Sequence, residues 1–129
     1  MTLEAISTAG ASAAIGPSSQ AIAAGGFVFC SGQLPMDPAT GQLIPGGDIA
    51  ADTRRVMDNI VAILTAAGTD LARAVKATVY CTDLADYAAI NAVYATYFEG
   101  LVPPARVAVQ VAALPKGAKV EIELVALLR

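Results

Sequence analysis

The sequence predicts an α+β fold, a mixed β-sheet with two helices packed on one face. Three observations carry that prediction. Apolar residues alternate at period two in several short segments, and they recur at three- and four-residue spacing in two longer ones, Val56–Ala67 and Ile90–Phe98. The elements run ββ(β)-α-β-α-ββ, so each helix crosses from one strand to the next. Right-handed crossovers put both helices on one face only when the strand order is split rather than doubly wound. Finally, 56% of the 129 residues are hydrophobic and only 15% charged, an apolar balance for a soluble monomer of this length. A bare sheet face carrying residues such as Ala108 and Ala112, covered by cyclic association, would account for it.

Taken in order, Leu3–Thr8 is a short alternating start, and Gly10–Ser19 is a small-residue loop turned at Gly16-Pro17. Gln20–Ala24 and Phe27–Ser31 flank Gly25-Gly26, a pair suited to the positive φ of a two-residue hairpin turn. The stretch GQLPMDPATGQLIPGGD is dense in Gly and Pro and reads as loop throughout. Asp48 or Asp52 caps a helix carrying Val56, Ile60, Ile63, Leu64 and Ala67, which stops at Gly68. Asp52, Arg54, Arg55 and Asp58 fall mostly off that stripe and read as a solvated face. Val75–Thr82 is a strand, with Val75, Ala77, Val79 and Cys81 inward. Asp83 or Asp86 opens a second helix whose apolar side is Ile90, Val93, Tyr94, Tyr97 and Phe98, ended by Gly100 and Pro103. Its aromatic stripe reads as core. Asn91, a weak helix former in mid-helix, has either a bonding partner or simple exposure.

One domain spans residues 1–129, long enough to bury roughly two thirds of its unfolded surface. The apolar runs are broken well short of a membrane span, and the start lacks the basic residues of a signal peptide, so the expected location is cytoplasmic. A formal charge of −3 argues against nucleic acid as a partner, since phosphate contacts need clustered Lys and Arg. Histidine is absent, which removes the usual general base and the commonest transition-metal ligand together. No metal site is expected. Cys30 and Cys81 sit in apolar strand-like segments without a CxxC spacing and read as buried thiols.

The chemistry concentrates in PARVAVQVAALPKGAKVEIE, Pro104–Glu123. Strand alternation sends Val107, Val109 and Val111 to one side and Arg106, Ala108 and Gln110 to the other. Beyond LPKGA, Val120, Ile122 and Leu124 oppose Lys119, Glu121 and Glu123. The two runs read as an antiparallel hairpin with a core on the valine face, which would gather the polar sets on the opposite face, in a wet cleft or a subunit seam. With Gln110 opposite Glu121, Arg106 would lie roughly 13 Å away at the backbone, a gap for a substrate and a bridging water. Arg106 can hold a carboxylate through two parallel hydrogen bonds, and Glu121 can act as base toward water or shuttle a proton to a leaving nitrogen. That set suits hydrolysis of an electrophilic C=N bond, not of an unactivated amide. Periodicity alone favours a different reading, in which Glu121, Glu123, Arg106 and Lys119 are a mutually compensating charge cluster at a subunit interface.

These residues sit in a longer series: IGP at Ile15–Pro17, FCSGQLPMDPATGQL at Phe29–Leu43, DNIVAILTAAG at Asp58–Gly68, VKATVYCTDLADYAAINAVYATYF at Val75–Phe98 and PPAR at Pro103–Arg106. In order and spacing the series resembles the Rid/YjgF family of reactive-imine deaminases, also labelled endoribonuclease L-PSP, over nearly the whole chain. The resemblance implies a chorismate-mutase-like fold and a homotrimer with three clefts between subunits. It also implies cofactor-free hydrolysis of 2-imino or enamine acids to 2-keto acids and ammonia. Carried over by position, Arg106 clamps the substrate carboxylate and Glu121 orients or activates water. The Ala108 backbone contacts the imine or keto end, and Ser31, Gly32 and Asn91 line the cleft. Two positions depart from the deaminase pattern. Ser18 stands where a Tyr is usual, which enlarges the cleft mouth and withdraws a long-reach donor, and Ala108 stands where a Cys is usual. Ser18 keeps open a catabolic aminomuconate- or aminoacrylate-type deaminase. A keto-acid-binding or chaperone-like trimer without turnover is the alternative from another class. The acidic charge and missing His rank a ribonuclease last.

Overall fold

The computed structural model describes residues 2–129. The strands are β1 (Glu4–Ile6), β2 (Ala21–Ala24), β3 (Phe27–Gln33), β4 (Met36–Asp37), β5 (Gln42–Leu43), β6 (Ala74–Cys81), β7 (Ala105–Gln110) and β8 (Val120–Leu127). The two α-helices are α1 (Ile49–Ala67), between β5 and β6, and α2 (Tyr87–Tyr97), between β6 and β7. Six strands form one mixed sheet in the order β1-β2-β3-β8-β6-β7. The order is split as expected: β8, last in sequence, is inserted between β3 and β6. Helix α1 lies over β3 and β8 and packs beside α2.

Local chemistry sets the boundaries. Gly25 and Gly26 take φ of 60° and 84° in the β2–β3 turn, a left-handed conformation that glycine adopts at no steric cost. The Asp48 carboxylate accepts from the Ala50 N–H and caps α1, while Gly68 closes it in the left-handed conformation. Val56, Met57, Ile60, Ile63 and Leu64 are fully buried against the sheet, together with Val79, Val120 and Ile122.

Four expectations are corrected. The last two strands do not form a hairpin, because β6 lies between them, parallel to β7 and antiparallel to β8. A parallel β6–β7 pair is what the α2 crossover dictates. The Gly/Pro-rich segment is not wholly loop: Met36 pairs Leu43 and Asp37 pairs Gln42 in a minimal hairpin. Val75 is exposed rather than inward, since a register shift between Ala74 and Lys76 takes it out of the alternation. Asp52 is buried in the first turn of α1 rather than solvated, and burial raises its carboxyl pKa.

The faces of β7 are also the reverse of the sequence expectation. Arg106 is in register with Ala77 and, across β6, with Leu124, both buried beneath the helices. Val107 and Val109 look out from the uncovered face, where they are 43% and 37% exposed. They share that face with Phe27, Phe29 and Leu127. As an edge strand, β7 lies beyond the cover α1 gives the middle of the sheet, and its valines have no layer against them.

Asn59 ties the β3–β4 connection to α1. It is fully buried, and its amide donates to the carbonyls of Met36 (3.0 Å) and Leu34 (3.4 Å) while its Oδ1 accepts from Arg55 Nε. Truncation removes the Asn59 donor from the Met36 carbonyl and leaves the Leu34 carbonyl with the Met36 N–H alone, so Asn59→Ala is expected to cost about 1–3 kcal/mol in urea unfolding at an unchanged m-value. A loss below about 0.5 kcal/mol would show that these bonds are dispensable.

Candidate functional site

The sequence-predicted residues fall into two groups on opposite sides of the sheet. The first surrounds Arg106. Its Nη1 donates to Asn91 Oδ1 at 2.7 Å and its Nη2 to the Tyr87 hydroxyl at 2.6 Å. The guanidinium carbon lies 4.9 Å from the Tyr94 ring centroid and 5.6 Å from that of Tyr87, within cation–π range. Tyr87, Asn91 and Tyr94 follow one stripe of α2, whose helical period brings them over β7. Among the described residues the one salt bridge is Arg73–Asp70, so no acid neutralises Arg106. Its acceptors are neutral, and three of its five donors remain free. Beside it opens a cleft of about 550 Å³ lined by Asn91, Tyr94, Phe98, Pro103 and Pro104. Ala108, next but one along the edge strand, is half-buried and packs against the core.

The second group surrounds Glu121. It is in register with Tyr80, and Tyr80 with Val109, which places its carboxylate on the uncovered face. A bulge in β3 between Cys30 and Gln33 turns Ser31 and Gly32 toward it. Gly32 makes room for the Glu121 carboxylate in this position, because a Cβ would overlap it. The Ser31 hydroxyl donates to the Ser19 carbonyl at 2.6 Å, and buried Gln20 holds the preceding loop by donating to the carbonyls of Thr8 and Ser12. Ser18 is exposed, and its hydroxyl turns back onto the Ile15 carbonyl at 3.0 Å, leaving no donor aimed at the cleft. Ser18, Ser31, Gly32 and Glu121 share a cleft of about 250 Å³. Burial first, and the neighbouring Glu123 second, push the Glu121 carboxyl above the ordinary glutamate range. Its proton affinity is thereby moved toward that of a useful base.

Arg106 and Glu121 therefore do not meet within one chain, contrary to the shared polar face expected from the hairpin. Nor does the compensating cluster form within one chain: Lys119 donates to the Gly47 carbonyl and Glu123 accepts from the Tyr80 hydroxyl at 3.0 Å. Tyr87 was missed by sequence reasoning, although its spacing of four from Asn91 was the available signal. Tyr94 is core as expected, stacked 4.8 Å from Phe98, and also walls the Arg106 cleft. Both cysteines are buried thiols, and burial raises that of Cys30 to about 12, so neither supplies a nucleophile.

Fold and site together define an α+β protein with a split, mixed six-stranded sheet and a separate polar cleft at Arg106 and at Glu121. The YjgF gene product of E. coli superposes with a TM-score of 0.92 at 43% identity, covering 98% of this chain and 99% of that one. The conserved Rid-family protein YyfA of Yersinia pestis superposes at 0.95, with 46% identity over 98% and 99%. A 2-iminobutanoate/2-iminopropanoate deaminase of Capra hircus is 54% identical over 94% of this chain and 87% of its own. Protein DfrA of Myxococcus xanthus is 49% identical over 98% and 96%. The family model described as endoribonuclease L-PSP matches residues 8–128, and the chain belongs to that family.

The Gly32–Glu121 contact is testable directly. Gly32→Ala should leave the fold intact, since the overlap is with the movable end of a side chain. It should swing the carboxylate toward solvent and return its titration toward the ordinary 4.5, read by carboxyl carbon NMR. An unmoved titration would refute the contact.

Proposed function

We propose that the protein hydrolyses 2-imino acids of the 2-iminobutanoate and 2-iminopropanoate type, or their enamine tautomers, to 2-keto acids and ammonia. The observation that carries this reading is Arg106: a guanidinium without an acid partner, fixed by neutral acceptors beside an open cleft. Such a group fits an organic carboxylate by bidentate donation. Relatives named as imine deaminases, at about half identity over nearly the full chain, support the same choice.

The opposite placement of the two groups gives the site its form. Arg106 and Asn91 of one copy face Glu121, Ser31 and Gly32 of the next, with cyclic association bringing them together. Phe27, Phe29, Val107, Val109 and Leu127 on the uncovered face supply the apolar surface for that association, and a homotrimer closes it. The Arg106 clamp leaves the C=N carbon exposed to a water held by Glu121. The carboxylate takes a proton as the water oxygen bonds to carbon, and the C=N π electrons move to nitrogen. Glu121 then returns that proton to nitrogen, giving the carbinolamine; it next carries the hydroxyl proton to the amine, and as the C–N bond breaks ammonia leaves and the oxygen lone pair closes the C=O of the keto acid. This uses only carboxylate, guanidinium and water, in keeping with a chain that has no histidine. Net charge and composition lend no support to the ribonuclease in the family's label.

The imine is generated in the assay by an amino-acid oxidase, and its loss is followed by semicarbazide trapping. The protein should accelerate that loss, and Arg106→Ala should reduce kcat/KM by at least about 100-fold, the loss of a charged bidentate contact. Keto-acid binding without acceleration would replace catalysis by sensing. Arg106→Ala and Glu121→Ala, each inactive alone, should regain about a quarter of wild-type activity when co-assembled, because one site in four then draws both intact halves. No recovery would place the site within one chain. The acid limb of kcat/KM should lie above 4.5 and move down in Glu123→Gln, where the like charge is gone. A limb that stays in place would remove Glu121 as the titrating base.

A further inference from the structure

We propose that Tyr87 is a second ligand for the substrate carboxylate, sharing the anion with Arg106. The inference rests on the reading that Arg106 binds a carboxylate, and it adds a residue to that contact. The Tyr87 oxygen accepts from Arg106 Nη2 at 2.6 Å, so its oxygen is already engaged by a cation. Its own proton has no acceptor among the described residues. Tyr87 is half-buried, so the hydroxyl is within reach of a ligand. Asn91 holds Nη1 at the same time, four residues along the same face of α2.

The chemistry of this arrangement is specific. A phenol is both donor and acceptor, and accepting from a guanidinium polarises its O–H into a stronger donor. The phenol oxygen and the guanidinium lie 2.6 Å apart without an acid beside them, close enough for one anion to bridge both. A monocarboxylate has acceptor sites for both, with two oxygens and about four lone-pair positions. Asn91 differs from Tyr87 here: its Oδ1 steadies the arginine, whereas Tyr87 both steadies it and offers a further bond to the anion. Loss of the hydroxyl alone should therefore weaken carboxylate binding while the cation–π contact of the ring persists.

The test uses the full chain and 2-oxobutanoate labelled with carbon-13 at the carboxylate. Calorimetry should give Tyr87→Phe an affinity about tenfold below wild type, the scale of one hydrogen bond to a charged group, at an unchanged melting temperature. At saturation, the isotope-edited antisymmetric carboxylate stretch should rise in Tyr87→Phe, because one donor to the anion is gone. Wild-type affinity in Tyr87→Phe, or weakened binding with an unmoved stretch, would overturn the proposal, the latter leaving Tyr87 as a positioning residue for Arg106. Absence of both binding and turnover in the wild-type protein would be a different failure, that of the carboxylate reading itself.

Discussion

The arrangement depends on one constraint: side chains on a strand alternate, and a single sheet has two faces. Arg106 falls in register with Ala77 and Leu124 beneath the helices, and Glu121 falls in register with Tyr80 and Val109 on the side the helices leave uncovered. No side-chain rotation carries either group through the sheet. A cation without an acid and an acid without a base are thus held apart in the same chain, each beside its own opening.

Both groups are costly to maintain, which is informative. The Glu121 carboxyl is partly desolvated next to a second carboxylate, and Arg106 rests on two neutral acceptors and two rings where a salt bridge would be the simpler solution. The backbone is shaped to keep them so. A bulge in β3 and a glycine without a Cβ make room for Glu121, while the tyrosine and asparagine of α2 hold the guanidinium in place without cancelling its charge. These features leave an uncancelled guanidinium beside one cleft and a partly desolvated carboxylate beside the other. The Val107, Val109, Phe27 and Phe29 side chains stand exposed on the uncovered face, the surface on which the proposed association would bring the two halves together.

Much of the fold was legible in the sequence. The Gly25-Gly26 turn, the Asp48 cap, the Gly68 stop and the apolar stripe of α1 are each fixed by chemistry within a few residues. The split strand order also followed, from the crossover rule. What local pattern does not encode is which strands become neighbours. Val107 and Val109 have the alternation of a core-facing strand, yet β7 ends at the sheet edge with its valines outward, so the inferred hairpin does not form and the faces of β7 are reversed, while Val120, Ile122 and Leu124 of β8 point inward as read. Val75 and Asp52 show the same limit on a smaller scale, one displaced by a register shift and the other buried in the first turn of α1. The site residues were legible as residue types, but their division between two faces needed the register. Tyr87 went unread because an aromatic residue at a helix start has the same sequence appearance whether it fills core or touches an arginine.

The most direct measurement is a crystal structure of the protein grown with 2-oxobutanoate. The account predicts the ligand between two copies, its carboxylate on Arg106 of one and its keto carbon facing Glu121 of the other. An ordered ligand bound wholly within one chain, or an Arg106 paired with an acid of the neighbouring copy and no ligand beside it, would contradict it.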